Sequence, residues 1–215
     1  MIESFLRPPA GALLVADAVR LLGVMSVVAV LLWWSPVDVA VFALSMIGLV
    51  LPRFLGVRPA LDAAFGLALV VAAWFSVLGL YVSVPLVDLP VHLVLNGLVA
   101  AVAYLLLARV GVLPETLDVA RPRLGVAVVT TALGVVGGVL WEFGEWAGHT
   151  FIDDAIFVGY TDTLGDLAIG ALGSLLAGAA MPYLAAHQWR SQREPPVVAS
   201  LDRWTTSRTT PQTPR

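Results

Sequence analysis

Residues 88–109, DLPVHLVLNGLVAAVAYLLLAR, decide the fold. A helix of this length reaches about 33 Å, enough to cross the hydrocarbon core of a bilayer. Its charges, Asp88 and Arg109, stand at its two ends, and Pro90 falls in the first turn, where a missing N–H costs nothing. Inside the run lie His92 and Asn96, at i+4 and i+8 from Asp88. That spacing places all three on one helical face.

Similar apolar runs extend on both sides, at about 12–34, 37–52, 60–82, 124–148 and 163–186. The 215-residue chain is 59% hydrophobic and 13% charged, against about 25% charged for a soluble domain. The expected fold is therefore an all-α, polytopic transmembrane helical bundle of about six helices, multi-pass in the cell membrane. Residues 1–11 read as a cytoplasmic lead, 12–190 as the membrane domain, and 191–215, rich in Pro, Ser, Thr and Arg, as a disordered cytoplasmic tail. No cleavable secretory peptide is expected at the start. Trp33-Trp34 and Ser35-Pro36 close the first run, and Pro52-Arg53 is expected to close the second.

Arginine orients the bundle. All 12 basic residues are arginine. Arg7, Arg53, Arg58, Arg109, Arg121, Arg123 and those after 189 fall on one side of a six-helix arrangement. The connections near 35–37, 83–87 and 149–162 carry none. By the positive-inside rule both termini are cytoplasmic, and the acidic loop 149–162 faces outward. Arg20, within the first run, is expected to snorkel or to pair with Asp17. His187, beside Trp189 and Arg190, reads as interfacial.

Ionisable groups inside such runs are costly, so they mark function by default. Besides Asp88, His92 and Asn96, the fifth run presents Glu142, Glu145 and His149 at i, i+3 and i+7, and the sixth presents Asp162 and Asp166 at i, i+4. Thr161, Asp162 and Thr163 also offer a helix N-cap. All three faces fall at the outer ends of their helices. Carboxylates gathered there without a basic partner repel one another and require a cation or shared protons. The expected metal ligands are Asp88, His92, Glu142, Glu145, Asp162 and Asp166, for zinc, manganese or magnesium. Asp153-Asp154 reads as a solvated pair, and the glycines at 134, 137, 138, 165, 170, 173 and 178 as close helix packing. With no cysteine, thiol catalysis, disulfides and iron–sulfur ligation are excluded. No phosphate-binding loop, dinucleotide fingerprint or nucleic-acid motif occurs.

The stretch 141–178, WEFGEWAGHTFIDDAIFVGYTDTLGDLAIGALGSLLAG, resembles the YjdF family of bacterial inner-membrane proteins. That family shows an E-F-x-E-W helix, a loop, and a D-T-x-x-D helix followed by glycines. Here these are Glu142-Phe143-Gly144-Glu145-Trp146 and Asp162-Thr163-Leu164-Gly165-Asp166, and Asp88 and His92 match an upstream D-x-x-x-H element. The likeness covers about residues 60–180; Leu93 replaces a common phenylalanine, and His149 is not carried by it. A weaker likeness exists to VanZ-like membrane proteins. The resemblance implies a membrane protein with a grouped polar site and names no reaction.

Three functions follow as expectations. The first is a membrane-embedded, metal-dependent hydrolase or transferase acting on a lipid or lipid-linked substrate from the extracytoplasmic leaflet, with Glu145 as general base and His149 as acid. The second is a cation or proton transporter. The third is a non-enzymatic scaffold held by a buried polar network. The partners expected are membrane lipids and a lipid-like substrate, with no nucleic acid; the oligomeric state is left open.

Overall fold

The computed structural model describes residues 11–113 and 121–185. The tail, His187, Trp189 and the arginines beyond lie outside the described residues. The described chain is all-α: α1 (Ala12–Trp33), α2 (Pro36–Leu55), α3 (Pro59–Val77), the short α4 (Leu80–Ser83), α5 (Asp88–Arg109), α6 (Pro122–Phe151) and α7 (Tyr160–Leu184). Six of these are long and apolar enough to cross a membrane. Leu21, Ile47, Leu140 and Leu176 are more than half exposed around the perimeter, a surface that suits lipid and not water. The protein is a multi-pass membrane helical bundle.

Local sequence explains the boundaries, with three departures from expectation. Ser35 does more than end α1. It caps α2 in a capping box, its hydroxyl accepting from the Asp38 N–H while the Asp38 carboxylate accepts from the Ser35 N–H. Pro52 does not end α2, which continues one turn to Leu55 and stops at Gly56, in the left-handed region at φ 63°. Proline removes one helical hydrogen bond, a loss that tight packing of the buried Pro52 and Arg53 offsets. The third span ends at Val77, short of residue 82, because Gly79 adopts φ 65° and starts α4.

The helices form two groups of three. α1, α2 and α3 pack together; α5, α6 and α7 pack together; α3 with α5, and α2 with α5, join the groups. The joining core lies toward one end, where Leu55, Leu61 and Phe65 meet Tyr104, Leu105 and Met181. Arg58 adds a tie there, its guanidinium 3.9 Å from the centre of the Tyr183 ring. Arg53, Arg58, Arg109 and Arg121 sit at helix ends that alternation brings to this same end.

Between α5 and α7 the backbones touch. A Cβ on Gly97 would lie 2.7 Å from the Gly173 carbonyl oxygen, and one on Gly173 would collide with the Leu93 carbonyl. Lipid offers no hydrophobic drive between helices, so such close approach of small residues is what holds them. Of the glycines expected to serve packing, Gly134, Gly138, Gly170, Gly173 and Gly178 sit this close to a neighbour, whereas Gly137 and Gly165 have room for a Cβ.

Arg20 pairs with Asp17 as expected, at 2.7 Å, and reaches further. It also pairs with Asp62 of α3 and donates from Nε to the Leu49 carbonyl at 3.0 Å. Arg53 lies 3.7 Å from the second Asp17 oxygen. Two arginines and two aspartates thus tie α1, α2 and α3 together with balanced charge.

Candidate metal centre

The arginine-poor end of the bundle holds the N-termini of α5 and α7 and the C-terminal turns of α6. Antiparallel packing therefore brings the three polar faces together. His92, Glu142 and Asp166 each place a ligand atom within 4.8 Å of the others, and so do Asp88, Asp162 and Asp166. Asp166 belongs to both sets. Ligands about 2.0–2.2 Å from an ion lie up to about 4.4 Å apart across it, so a small side-chain adjustment closes either set. The first set, with an imidazole and two carboxylates, suits zinc or manganese; the second, all oxygen, suits magnesium or manganese.

Asp166 is the pivot. It is only 2% exposed. Its Oδ2 lies 3.8 Å from His92 Nε2, while Oδ1 is sealed from solvent with no hydrogen-bond partner among the described residues. A buried carboxylate oxygen left bare is costly, and native structures rarely tolerate one without an ion or water. Arginine cannot relieve it. Arg109 ends α5 about 32 Å of helical rise from Asp88, and Arg121 and Arg123 open α6 some five turns before Glu142.

Asp162 does not cap α7. The helix begins at Tyr160 with Gly159 as its cap residue and no side-chain cap bond, so Asp162 lies in the first turn and faces Asp88. Asp88 is half-buried, and its Oδ1 accepts from the Leu89 N–H at 2.9 Å. Thr163 stands beside Glu142. Glu145 is half-buried and outside both ligand sets; it lies next to Glu142, Asp166 and Asp162 without joining them. His149 also lies outside both sets. Its exposed ring places Nδ1 2.7 Å from the Ile156 carbonyl oxygen, clasping the loop that follows α6. Asn96 lies deeper and is buried, its amide filling the space left by Gly138 and Gly170. It makes the floor of the site, not a ligand of either set. Asp153 turns its carboxylate to the Ala155 N–H at 3.0 Å, organising the loop.

Tyr81 is the residue that the sequence reading missed. Its hydroxyl donates to the Ala72 carbonyl at 3.2 Å, and the side chain lies within electrostatic reach of Glu145, Asp88 and Asp166. Burial, then these carboxylates, push the phenol well above its usual range, so it stays a protonated donor beside the acids.

A family model described as a predicted membrane protein (DUF2238) matches residues 13–187. The chain belongs to the DUF2238 family. No curated protein and no solved structure matches it. The matched span of this DUF2238 protein takes in all six membrane helices and every residue of both ligand sets.

Beside the centre, α6 and α7 part to leave a cavity of about 450 Å³. Val139, Phe143, Trp146, Tyr160 and Leu167 wall it, and Glu142 and Thr163 give it a polar side.

Proposed function

We propose that this DUF2238 protein is a metal-dependent hydrolase or transferase acting on a lipid or lipid-linked substrate from the extracytoplasmic leaflet. The observation that carries this reading is the double position of Glu142. It is a member of the His92–Glu142–Asp166 ligand set and it lines the apolar cavity between α6 and α7. A chain-like apolar group seated against Phe143, Trp146 and Leu167 would bring its polar head to the metal side. The ion would polarise a phosphoryl or carbonyl oxygen, or lower the pKa of a bound water. Glu145, adjacent but outside the ligand sets, is the base in this reading. His149, with Nδ1 engaged by Ile156, would deliver a proton from Nε2. The Asp162–Asp166 and Glu142–Trp146 elements support placing the chain with YjdF-like members. The arginine distribution supports cytoplasmic termini and an outward-facing centre.

Two features weigh against the other functions. Beneath Asn96 the helices bury Ala100, Ala101 and Leu105, while the buried Thr130 and Ser174 hydroxyls bond to carbonyls of their own helices. That leaves little for a through-path. A packing scaffold would pair its buried carboxylates, and among the described residues Asp166 Oδ1 has no hydrogen-bond partner.

The test is metal analysis and turnover of the detergent-purified protein on fluorogenic lipid phosphate and carboxylic esters. Chelator-sensitive turnover, restored by zinc, manganese or magnesium and lost in Glu142→Gln and Glu145→Gln, is expected. Failure to bind any of the three ions stoichiometrically would sink the reading.

A further inference from the structure

We infer that the centre holds two divalent cations bridged by Asp166. This rests on the reading of the site as metal-binding, and is independent of which reaction the site performs. Two ligand sets share one residue and no other: His92 and Glu142 on one side of Asp166, Asp88 and Asp162 on the other. A carboxylate has two oxygens and can serve both. Asp166 Oδ2 stands by His92, and Oδ1 is buried with no hydrogen-bond partner among the described residues. One ion on the His92 side leaves Asp88 and Asp162 facing each other uncompensated.

Charge leads to the same number. Asp88, Glu142, Asp162 and Asp166 carry four negative charges, and His92 is neutral as a ligand. In the ion pairs found among the described residues, the arginines go to Asp17 and Asp62 at the other end. Two divalent cations offset the four ligand carboxylates and leave Glu145, outside both sets, as the one remaining; a single cation leaves two more uncompensated in a site of low dielectric. Helical geometry allows the pair. Asp88 and His92 on α5, and Asp162 and Asp166 on α7, are each one turn apart, or roughly 6 Å of rise. Side chains reaching from both layers to Asp166 shorten that toward the 3.5–4 Å or so of paired metal centres.

The full-length protein in detergent, stripped with chelator and titrated with Mn²⁺, provides the test. Bound manganese is counted by elemental analysis, and electron paramagnetic resonance reads the coupling between ions. The wild type is expected to bind two Mn²⁺ per chain with an exchange-coupled spectrum. Asp162→Asn should retain one uncoupled ion, and so should His92→Ala, from the opposite side. Saturation at one Mn²⁺ per chain, or two ions without coupling, would overturn the bridge even if lipid esters are turned over. No binding at all would overturn both this inference and the metal reading. Two coupled ions with no turnover on any lipid ester would leave the bridge standing and remove only the hydrolase.

Discussion

Asp62 and Asp166 are both nearly sealed from solvent, 4% and 2% exposed, and they are treated in opposite ways. Asp62, in the α1–α3 group, faces the Arg20 guanidinium, which also holds Asp17. Asp166, in the α5–α7 group, faces an imidazole and more carboxylates, with one oxygen bare. One half of the molecule neutralises its buried charge with its own side chains. The other shows no such pairing among the described residues, and in the proposed reading a cation supplies it. The contrast separates charge that is paired within the fold from charge that gathers with like charge, although both lie within apolar helices.

Four experiments break or sharpen this contrast. The largest effect is expected from Arg20→Ala, which strands Asp62 and frees Asp17; removing one partner of a buried pair costs about 3–5 kcal/mol. Thermal unfolding in detergent should show it, and Arg20→Leu combined with Asp62→Leu should recover most of the loss. Next comes Asp166→Asn, expected to weaken metal binding at least about a hundredfold, or ~2.7 kcal/mol, by calorimetric titration. The sharpest comparison uses the metal-free protein. There Asp166→Asn should raise the Tm, relieving carboxylate repulsion by about 1–3 kcal/mol, while Asp62→Asn should lower it by a similar amount. If both substitutions move stability the same way, the two halves are not different in kind. The smallest effect is expected from His149→Ala. Loss of its bond to the Ile156 carbonyl should cost ~1 kcal/mol and speed hydrogen exchange in the 152–159 loop, with metal stoichiometry unchanged.

What was legible in the sequence follows this division. Spans could be read because crossing a bilayer takes a long apolar run, and six such runs are present. The nearness of the polar faces could be read because their residues repeat at helical spacing within single helices and alternation sends those ends to one side. Asp88, His92, Glu142, Asp162 and Asp166 meet as that reasoning expects. The Arg20–Asp62 pair could not be read, since its partners are 42 residues apart on different helices. Tyr81 escaped because α4 is a single turn, created by the backbone of Gly79 and not by any hydrophobic period. Asp162 resembles a cap because Asp near a helix start usually is one; that it lies across from Asp88 instead depends on how two helices pack. Pro52 looked like a terminator because packing, which decides whether a helix outlasts a proline, is not local.

The contact between Gly97 and Gly173 has a mechanical consequence. It locks α5 to α7 backbone against backbone, and Asp88, His92, Asp162 and Asp166 all ride on that locked pair. Glu142 alone comes from α6, which is pinned to α7 farther down, where a Cβ on Gly178 would lie 2.7 Å from the Ala127 carbonyl. Nearer the centre α6 stays close to its neighbours, a Cβ on Gly134 colliding with Ser174 and one on Gly138 lying 2.9 Å from the Asn96 amide, and past these contacts it borders the cavity. Four of the five residues of the two sets are therefore fixed relative to one another by a single helix pair, and only Glu142 depends on how a third helix packs against it.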